Sequence, residues 1–187
     1  MPTMLKLRLS YVIPLVLAGC SGSRPETLTW NDSAGAAAKA METYDKSGDG
    51  QLAADELKAC PSLSESLVRL DTNRDKKLSA DEIRARFDEL YKWVKYNGLD
   101  LTVTSRGRPA TGAQVTLTPE PFMGEDFPTY TGTVTESGTC PLSTGDDRYL
   151  PVPVGFYTLK IVSAGKESVR GVEVATDTTG SRLEIAL

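Results

Sequence analysis

The chain changes its hydrophobic period about half-way along. In the first half, Ile83, Phe87, Leu90 and Val94 recur at i, i+4, i+7 and i+11, which places them on one face of a helix. In the second half, short stretches such as Leu99–Val103 alternate apolar and polar residues between turn residues. The pattern predicts an α+β multidomain chain, in which a helical domain precedes an antiparallel β-sandwich of the transthyretin-like or immunoglobulin-like kind.

The first half predicts four helices. The Asn-Asp-Ser run at residues 31–33 offers side chains preferred at a helix N-cap. Pro61 ends a helix, because proline lacks the N–H that a continuing helix needs, and a capping box of Ser79 and Glu82 starts the last one. The predicted helices are Ala34–Tyr44, Ala54–Cys60, one capped by Ser62 or Ser64 that buries Leu63, Leu67, Val68 and Leu70, and one that ends near Tyr96.

The second half predicts about six short strands. Turn residues fall between them, as in Arg106–Pro109 and Glu136–Gly138, and no helical period is present. The predicted strands are Leu99–Val103, Ala113–Thr118, Tyr130–Thr135, Phe156–Val162, Gly171–Ala175 and Arg182–Leu187.

Two twelve-residue stretches between the predicted helices repeat one spacing: loop 1, Asp45–Glu56, and loop 2, Asp71–Glu82. Each carries oxygen-bearing side chains at positions 1, 3 and 5 and a glutamate at position 12, which suits Ca²⁺ because this hard cation takes six to eight oxygens from a loop wrapped around it. The predicted ligands are Asp45, Ser47, Asp49, the carbonyl of Gln51, a water near Ala53 and Glu56 in loop 1, and Asp71, Asn73, Asp75, the carbonyl of Lys77, Ser79 and Glu82 in loop 2.

The two loops differ at position 6, where the chain turns sharply. Loop 1 has Gly50 there, whereas loop 2 has Lys76, which costs roughly 1–2 kcal/mol in a left-handed turn. Loop 2 also carries extra positive charge near the cation. We therefore expect loop 2 to bind calcium more weakly. The apolar residues at position 8, Leu52 and Leu78, predict a short strand contact between the loops.

Both loops resemble EF-hands, and together they resemble the paired EF-hand module of bacterial calcium-binding proteins. Loop 1 departs from that pattern only at position 9, and loop 2 only at the glycine. The resemblance implies two helix–loop–helix units with calcium as the cofactor. The alternative is a pair of calcium-free acidic turns between amphipathic helices.

A second resemblance covers residues 99–187. The runs Gly112–Leu117 and Val152–Leu159 resemble the G-A-x-V and P-x-G-x-Y-x-L motifs of the transthyretin-like or carboxypeptidase regulatory-like domain. Domains of that family are mostly structural or binding appendages. The resemblance implies a non-catalytic interaction module whose partner is an envelope protein or a glycan.

The first twenty residues have the pattern of a secretory leader. Lys6 and Arg8 precede the apolar run Leu9–Leu17, and Leu17-Ala18-Gly19-Cys20 resembles a bacterial lipobox. The resemblance implies lipidation of Cys20 and a membrane-anchored lipoprotein of the bacterial cell envelope, and Ser21 favours the outer membrane. The predicted domains are residues 1–19 as signal peptide, 20–31 as tether, 32–97 as the paired EF-hand domain and 98–187 as the sandwich.

Charge and composition exclude several function classes. The net charge is −4 and becomes −6 without residues 1–19, which disfavours a nucleic-acid partner. The chain has no histidine, which removes serine–histidine and cysteine–histidine catalysis. Two acidic pairs, Glu125-Asp126 and Asp146-Asp147, could serve acid–base hydrolysis, so an envelope hydrolase is the remote alternative. We expect a protein that is not an enzyme.

Two questions stay open from the sequence. Cys60 and Cys140 either form one disulfide, which an exported protein permits, or are two separately buried thiols. Calcium either has a structural role or opens the helices to expose an apolar groove for a partner. Sensors usually line that groove with methionines, and only Met41 lies in the predicted helices, which favours the structural role.

Overall fold

The computed structural model describes residues 32–93, 96–145, 151–177 and 182–187. The protein is a mixed α and β chain in which helices precede strands. In the described ranges no helix is long and apolar enough to cross a membrane. The predicted leader, the lipidation site Cys20 and the tether lie outside these ranges. The helices are α1 Ser33–Tyr44, α2 Ala54–Leu57, α3 Pro61–Leu70 and α4 Ala80–Trp93.

Four details of the predicted helices are wrong. Helix α2 ends at Leu57 and not at Cys60. Helix α3 begins at Pro61 and not after a serine cap, because proline is pre-organised for the first helical position. Val68, predicted on the buried face of α3, has a relative exposure of 92%. The last helix is described to Trp93 and does not reach Tyr96, because Tyr96–Asn97 form a strand; Val94, predicted on its apolar face, lies outside the described residues. The N-cap prediction is confirmed: the Asp32 side chain accepts the N–H of Gly35 at 2.6 Å.

The strands form two larger sheets and two short two-stranded pairs. One larger sheet has the order β11-β10-β6-β7, and the other has β12-β4-β5, with β8 paired to β4. A short 3-10 helix, Pro121–Met123, follows β6. The strands are β1 Gln51–Leu52, β2 Leu78–Ser79, β3 Tyr96–Asn97, β4 Asp100–Ser105, β5 Arg108–Pro109, β6 Gln114–Pro119, β7 Tyr130–Thr133, β8 Thr139–Cys140, β9 Val152–Pro153, β10 Gly155–Ser163, β11 Lys166–Val174 and β12 Arg182–Ala186.

One strand pair departs from the predicted antiparallel arrangement. Strand β12 runs parallel to β4, with Arg182 opposite Asp100 and Ala186 opposite Thr104. The chain crosses from one sheet to the other between β11 and β12 instead of turning back in a hairpin, so the antiparallel direction is not imposed. The other described strand pairs are antiparallel.

Two apolar clusters fill the interior. One is shared by strands of both larger sheets and includes Val103, Leu117 and Leu159. The other joins the helices to the β region: Phe87 of α4 lies 6.0 Å from Phe122 and 5.3 Å from Phe156, centroid to centroid, in edge-to-face contacts. The apolar face of the helices is therefore buried partly against the β region and not only against other helices.

Helix α3 lies very close to the sheet backbone at Gly171 of β11. A Cβ placed on this glycine would lie 2.0 Å from the carbonyl oxygen of Pro61, at the start of α3. Only a residue without a side chain lets the strand backbone come so close. Gly171 thus fixes how deeply α3 sits on the sheet.

We predict that Gly171→Ala destabilises the fold by about 1–3 kcal/mol, because the methyl group collides with backbone that cannot move aside cheaply. Urea denaturation measures the change. The control is Gly98→Ala, where an added Cβ meets nothing within 4 Å. Equal stabilities of the two variants would contradict the close packing of α3 on β11.

Candidate metal centres

The two loops lie back to back and are joined by the short antiparallel pair β1–β2. Gln51 is opposite Ser79 and Leu52 is opposite Leu78, and both leucines are fully buried. The predicted strand contact at position 8 is thereby confirmed. The pairing fixes the two loops relative to each other through backbone hydrogen bonds and a common apolar contact.

Loop 1 is folded around its own carboxylates. Asp45 accepts the N–H groups of Gly48 at 2.7 Å and Gly50 at 2.9 Å. Glu56 reaches back from the far end and accepts from Lys46 and Ser47, both at 2.9 Å. Its second oxygen accepts the N–H of Ala53 at 3.0 Å. One glutamate therefore closes the loop and caps α2.

Loop 2 repeats this arrangement. Asp71 accepts the N–H groups of Asp75 at 3.1 Å and Lys76 at 2.8 Å. Glu82 accepts from Thr72 at 3.0 Å through one oxygen and from Ser79 at 3.0 Å through the other. The capping box of Ser79 and Glu82 is present as predicted, and the same carboxylate also closes the loop.

Three carboxylates of loop 1 lie close enough together to hold a metal ion. The ligand oxygens of Asp45, Asp49 and Glu56 all lie within 4.8 Å of one another. Two oxygens on opposite sides of a Ca²⁺ at 2.3–2.6 Å are separated by about 5 Å, so the three carboxylates can share one ion. In the described part of the chain no other three acidic or cysteine side chains approach so closely. The carboxylates of loop 2 are less converged.

Hydrogen bonds favour the ionised form of Glu56, Asp49 and Glu82. The N–H groups of Ala53 and Ser47 lower the pKa of Glu56. The N–H of Gln51 and the ammonium of Lys77 lower the pKa of Asp49. Desolvation opposes the charge on Glu82, but the bonds from Ser79 outweigh it and lower the pKa. At neutral pH these groups are therefore negative oxygen donors, as a hard cation requires.

A lysine of loop 2 reaches the candidate site of loop 1. Lys77 Nζ lies 3.2 Å from Asp49 Oδ2, and both side chains are partly exposed. From the sequence, Lys77 is predicted to contribute only its backbone carbonyl. Its side chain places a positive charge beside a carboxylate that is also a candidate ligand of loop 1.

Loop 2 has a second strained backbone position in addition to Lys76. Lys76 has φ +65°, as its position implies, and Arg74 has φ +64°. The matching residues of loop 1 are Gly48 and Gly50, with φ +72° and +79°. A residue with a Cβ in this region costs roughly 1–2 kcal/mol, so loop 2 contains two strained positions where loop 1 has none.

No family model matches the chain, and no curated protein is significantly similar to it. The function is therefore argued from the residues themselves. Among the residues considered for hydrolysis, Glu125 and Asp126 are exposed in a turn, whereas Asp146 and Asp147 lie outside the described residues. The prediction that the protein is not an enzyme stays a prediction.

The two cysteines are free thiols in separate clusters. Cys60 is buried with the helices and Cys140 with the strands, and they form no disulfide with each other. Burial, with a smaller effect of Glu120, raises the pKa of Cys60 to about 11, and burial raises that of Cys140 to about 11. Of the two alternatives left by the sequence, the structure has the two buried thiols.

Two buried glutamates of the β region contact the helices, and their roles were not predicted from the sequence. Glu120 follows β6 and Glu173 lies on β11, and both carboxylates contact the helices. Their sequence context is ordinary for strand residues. Only their pairing with distant residues distinguishes them, and no spacing in the sequence reports that pairing.

We predict that Lys76→Gly stabilises the cation-free protein by about 1 kcal/mol and tightens cation binding at loop 2, because it removes the left-handed strain. Chemical denaturation in a chelator measures the first effect. The control Lys46→Gly changes a loop lysine whose φ is not positive, and it should be neutral or destabilising. Similar effects of the two variants would contradict the strain assignment.

We predict that Cys60 and Cys140 are unreactive towards a thiol reagent at pH 8, because both are buried and protonated. The experiment uses the Cys20→Ser chain, so that only these two thiols are counted. Two thiols should react in denaturant and none within minutes in the native protein. Rapid native labelling would show that one of the clusters opens.

Proposed function

We propose that the protein is a calcium-binding lipoprotein of the bacterial cell envelope, in which a pair of EF-hands has a mainly structural role. Calcium is the cofactor. The β region, as a transthyretin-like sandwich, is the interaction module for an envelope protein or glycan, and lipidated Cys20 anchors the chain, with the outer membrane favoured.

The observation that carries the proposal is that the last glutamate of each loop binds backbone N–H groups at two separate positions of that loop. Glu56 and Glu82 each accept backbone N–H groups from positions 2 and 9 of their loops. This places position 12 beside position 1, where a bidentate carboxylate and an aspartate can share one ion. Acidic turns without a ligand role do not need this spacing, and here it occurs twice.

The packing of the helices favours a structural role over a switch. A calcium switch exposes an apolar groove between helices. Here Phe122, Met123 and Phe156 of the β region belong to the same buried cluster as the helices. A groove that the chain itself fills offers little room to an external peptide, so calcium is expected to stabilise a closed arrangement.

The leader and the two remaining modules complete the proposal. The lipobox-like Leu17–Cys20 supports export and anchoring. An extracellular or periplasmic location suits EF-hands of weak affinity, since extracellular modules commonly have dissociation constants of about 10⁻⁴–10⁻³ M. The two larger, mainly antiparallel sheets of the β region are compatible with a binding or structural module.

The test is calcium titration calorimetry on the full chain. We expect two sites of unequal affinity, with loop 1 the tighter, because it has converged carboxylates and glycines at both left-handed positions. Glu56→Gln should abolish the tighter site and Glu82→Gln the weaker one. The control Glu65→Gln changes an exposed glutamate on α3 and should leave both sites intact.

Absence of heat in the wild-type titration, with no calcium-dependent change in melting temperature, would overturn the proposal. A hydrophobic dye tests the rival switch. Little change in dye fluorescence is expected when calcium is added. A large calcium-induced rise would replace the structural role by the switch.

A further inference from the structure

The helix that leads into loop 1 is tied at its last residue to a buried glutamate of the β region. Tyr44 ends α1 and immediately precedes Asp45. Its hydroxyl donates to Glu120 Oε2 at 3.1 Å.

Glu120 is held in place from several sides. The residue is 4% exposed, and its Oε1 accepts the hydroxyls of Ser62 at 2.8 Å and Thr158 at 3.0 Å. Its own N–H donates to the Phe156 carbonyl at 2.9 Å. A carboxylate fixed in this way holds the Tyr44 hydroxyl at a defined position, because buried hydrogen bonds are costly to leave unmade.

The helix that leads into loop 2 has a matching tie. Arg69 lies two residues before Asp71 and donates to Glu173 Oε2 through Nε at 3.0 Å and Nη2 at 2.5 Å. The Glu173 side chain is fully buried, and its other oxygen accepts Arg86 Nε at 2.5 Å. Arg86 lies one turn after Glu82, so Glu173 contacts the helices on both sides of loop 2.

We propose that Glu120 and Glu173 are positioning residues for the two calcium loops, and that they act through Tyr44 and Arg69. Each tie fixes the last turn of the helix before a loop and thereby places the first ligand, Asp45 or Asp71. The inference rests on the proposed calcium binding and adds a specific residue of the β region to each site.

The physical basis is the repulsion between loop carboxylates. Without a cation, Asp45, Asp49 and Glu56 are like charges within 4.8 Å of one another. Moving these carboxylates apart lowers their electrostatic repulsion. Spreading moves Tyr44 and strains its bond to Glu120. The bound cation and the tie therefore favour the same arrangement, and by reciprocity calcium in loop 1 strengthens the contact between α1 and the β region.

The test for loop 1 is Tyr44→Phe in the full chain, measured by calcium calorimetry. Loss of the hydrogen bond should weaken the tighter site about three- to tenfold and leave the other site within about twofold. The matched control is Tyr157→Phe, which removes another buried tyrosine hydroxyl, bonded to the Pro153 carbonyl at 2.9 Å, in the cluster between the sheets. The control should lower the melting temperature without changing either affinity.

The test for loop 2 is Arg69→Gln, which should weaken the loop 2 site by a similar factor and leave loop 1 unchanged. Its control is Arg84→Gln, which breaks only the exposed pair with Asp88 on α4. A merely structural role for Arg69 would lower stability without selecting one site.

Hydrogen exchange supplies the reciprocal readout. Calcium should slow amide exchange at Glu120 and Met123, whose N–H groups are bonded within the β region, and this effect should shrink in Tyr44→Phe. If Tyr44→Phe does not fold, Glu120→Met replaces it, since methionine has a similar length but no oxygen to accept the Tyr44 hydroxyl, and it should give the same loop 1 selectivity.

The outcomes separate the two claims. A wild-type protein that takes up no calcium overturns the proposed function and this inference with it. A wild-type protein that binds at two sites, with Tyr44→Phe behaving like Tyr157→Phe and Arg69→Gln like Arg84→Gln, overturns the positioning role alone. Site-selective losses that follow the adjacent loop support it.

Discussion

Each acidic loop is held closed by a single glutamate that accepts backbone N–H groups from both of its ends. In loop 1 this residue is Glu56, and in loop 2 it is Glu82. The same carboxylate starts the following helix, so loop closure and helix initiation are one interaction. This interaction sets the path of each loop, and with it the β1–β2 contact and the positions of the candidate ligands. These bonds also gather negative charge, which a cation would neutralise.

The helices and strands are joined by more than a linker. Phe87 of α4 packs on Phe122 and Phe156, and Gly171 lets α3 approach the sheet backbone. A buried ion pair completes the junction: Arg86 is 8% exposed and bonds the buried Glu173, and it also bonds the exposed Asp177. Burial opposes the charge of Arg86, but its bonds to Asp177 and Glu173 outweigh it and raise its pKa. Breaking such a buried pair is costly, so the junction resists opening.

The sequence predicts the local features well and the long-range ones poorly. The α1 cap at Asp32, the 3.6-residue period of Ile83 and Phe87, and the pairing of Leu52 with Leu78 follow from short-range chemistry. The start of α3 at Pro61 was missed because proline can both end one helix and start the next. Val68 is exposed because it lies five residues after Leu63, about 140° around the helix. The parallel β12–β4 pair depends on a crossover between sheets that alternation cannot report.

The candidate site divides in the same way. The ligand types, their spacing and the strain at Lys76 can be predicted from the loop sequences. The strain at Arg74, with φ +64°, was not predicted. The roles of Glu120 and Glu173 could not be predicted, because their partners lie 76 and 104 residues away, at Tyr44 and Arg69. A buried carboxylate can be identified as a positioning group only in the folded structure, where its distant partners are in contact with it.

The most direct test of the account is an anomalous difference map from crystals grown with millimolar calcium. The account predicts a strong peak in loop 1, about 2.3–2.6 Å from oxygens of Asp45, Asp49 and Glu56, and a weaker peak in loop 2 near Asp71 and Glu82. Well-ordered loops with no peak in either position would contradict it.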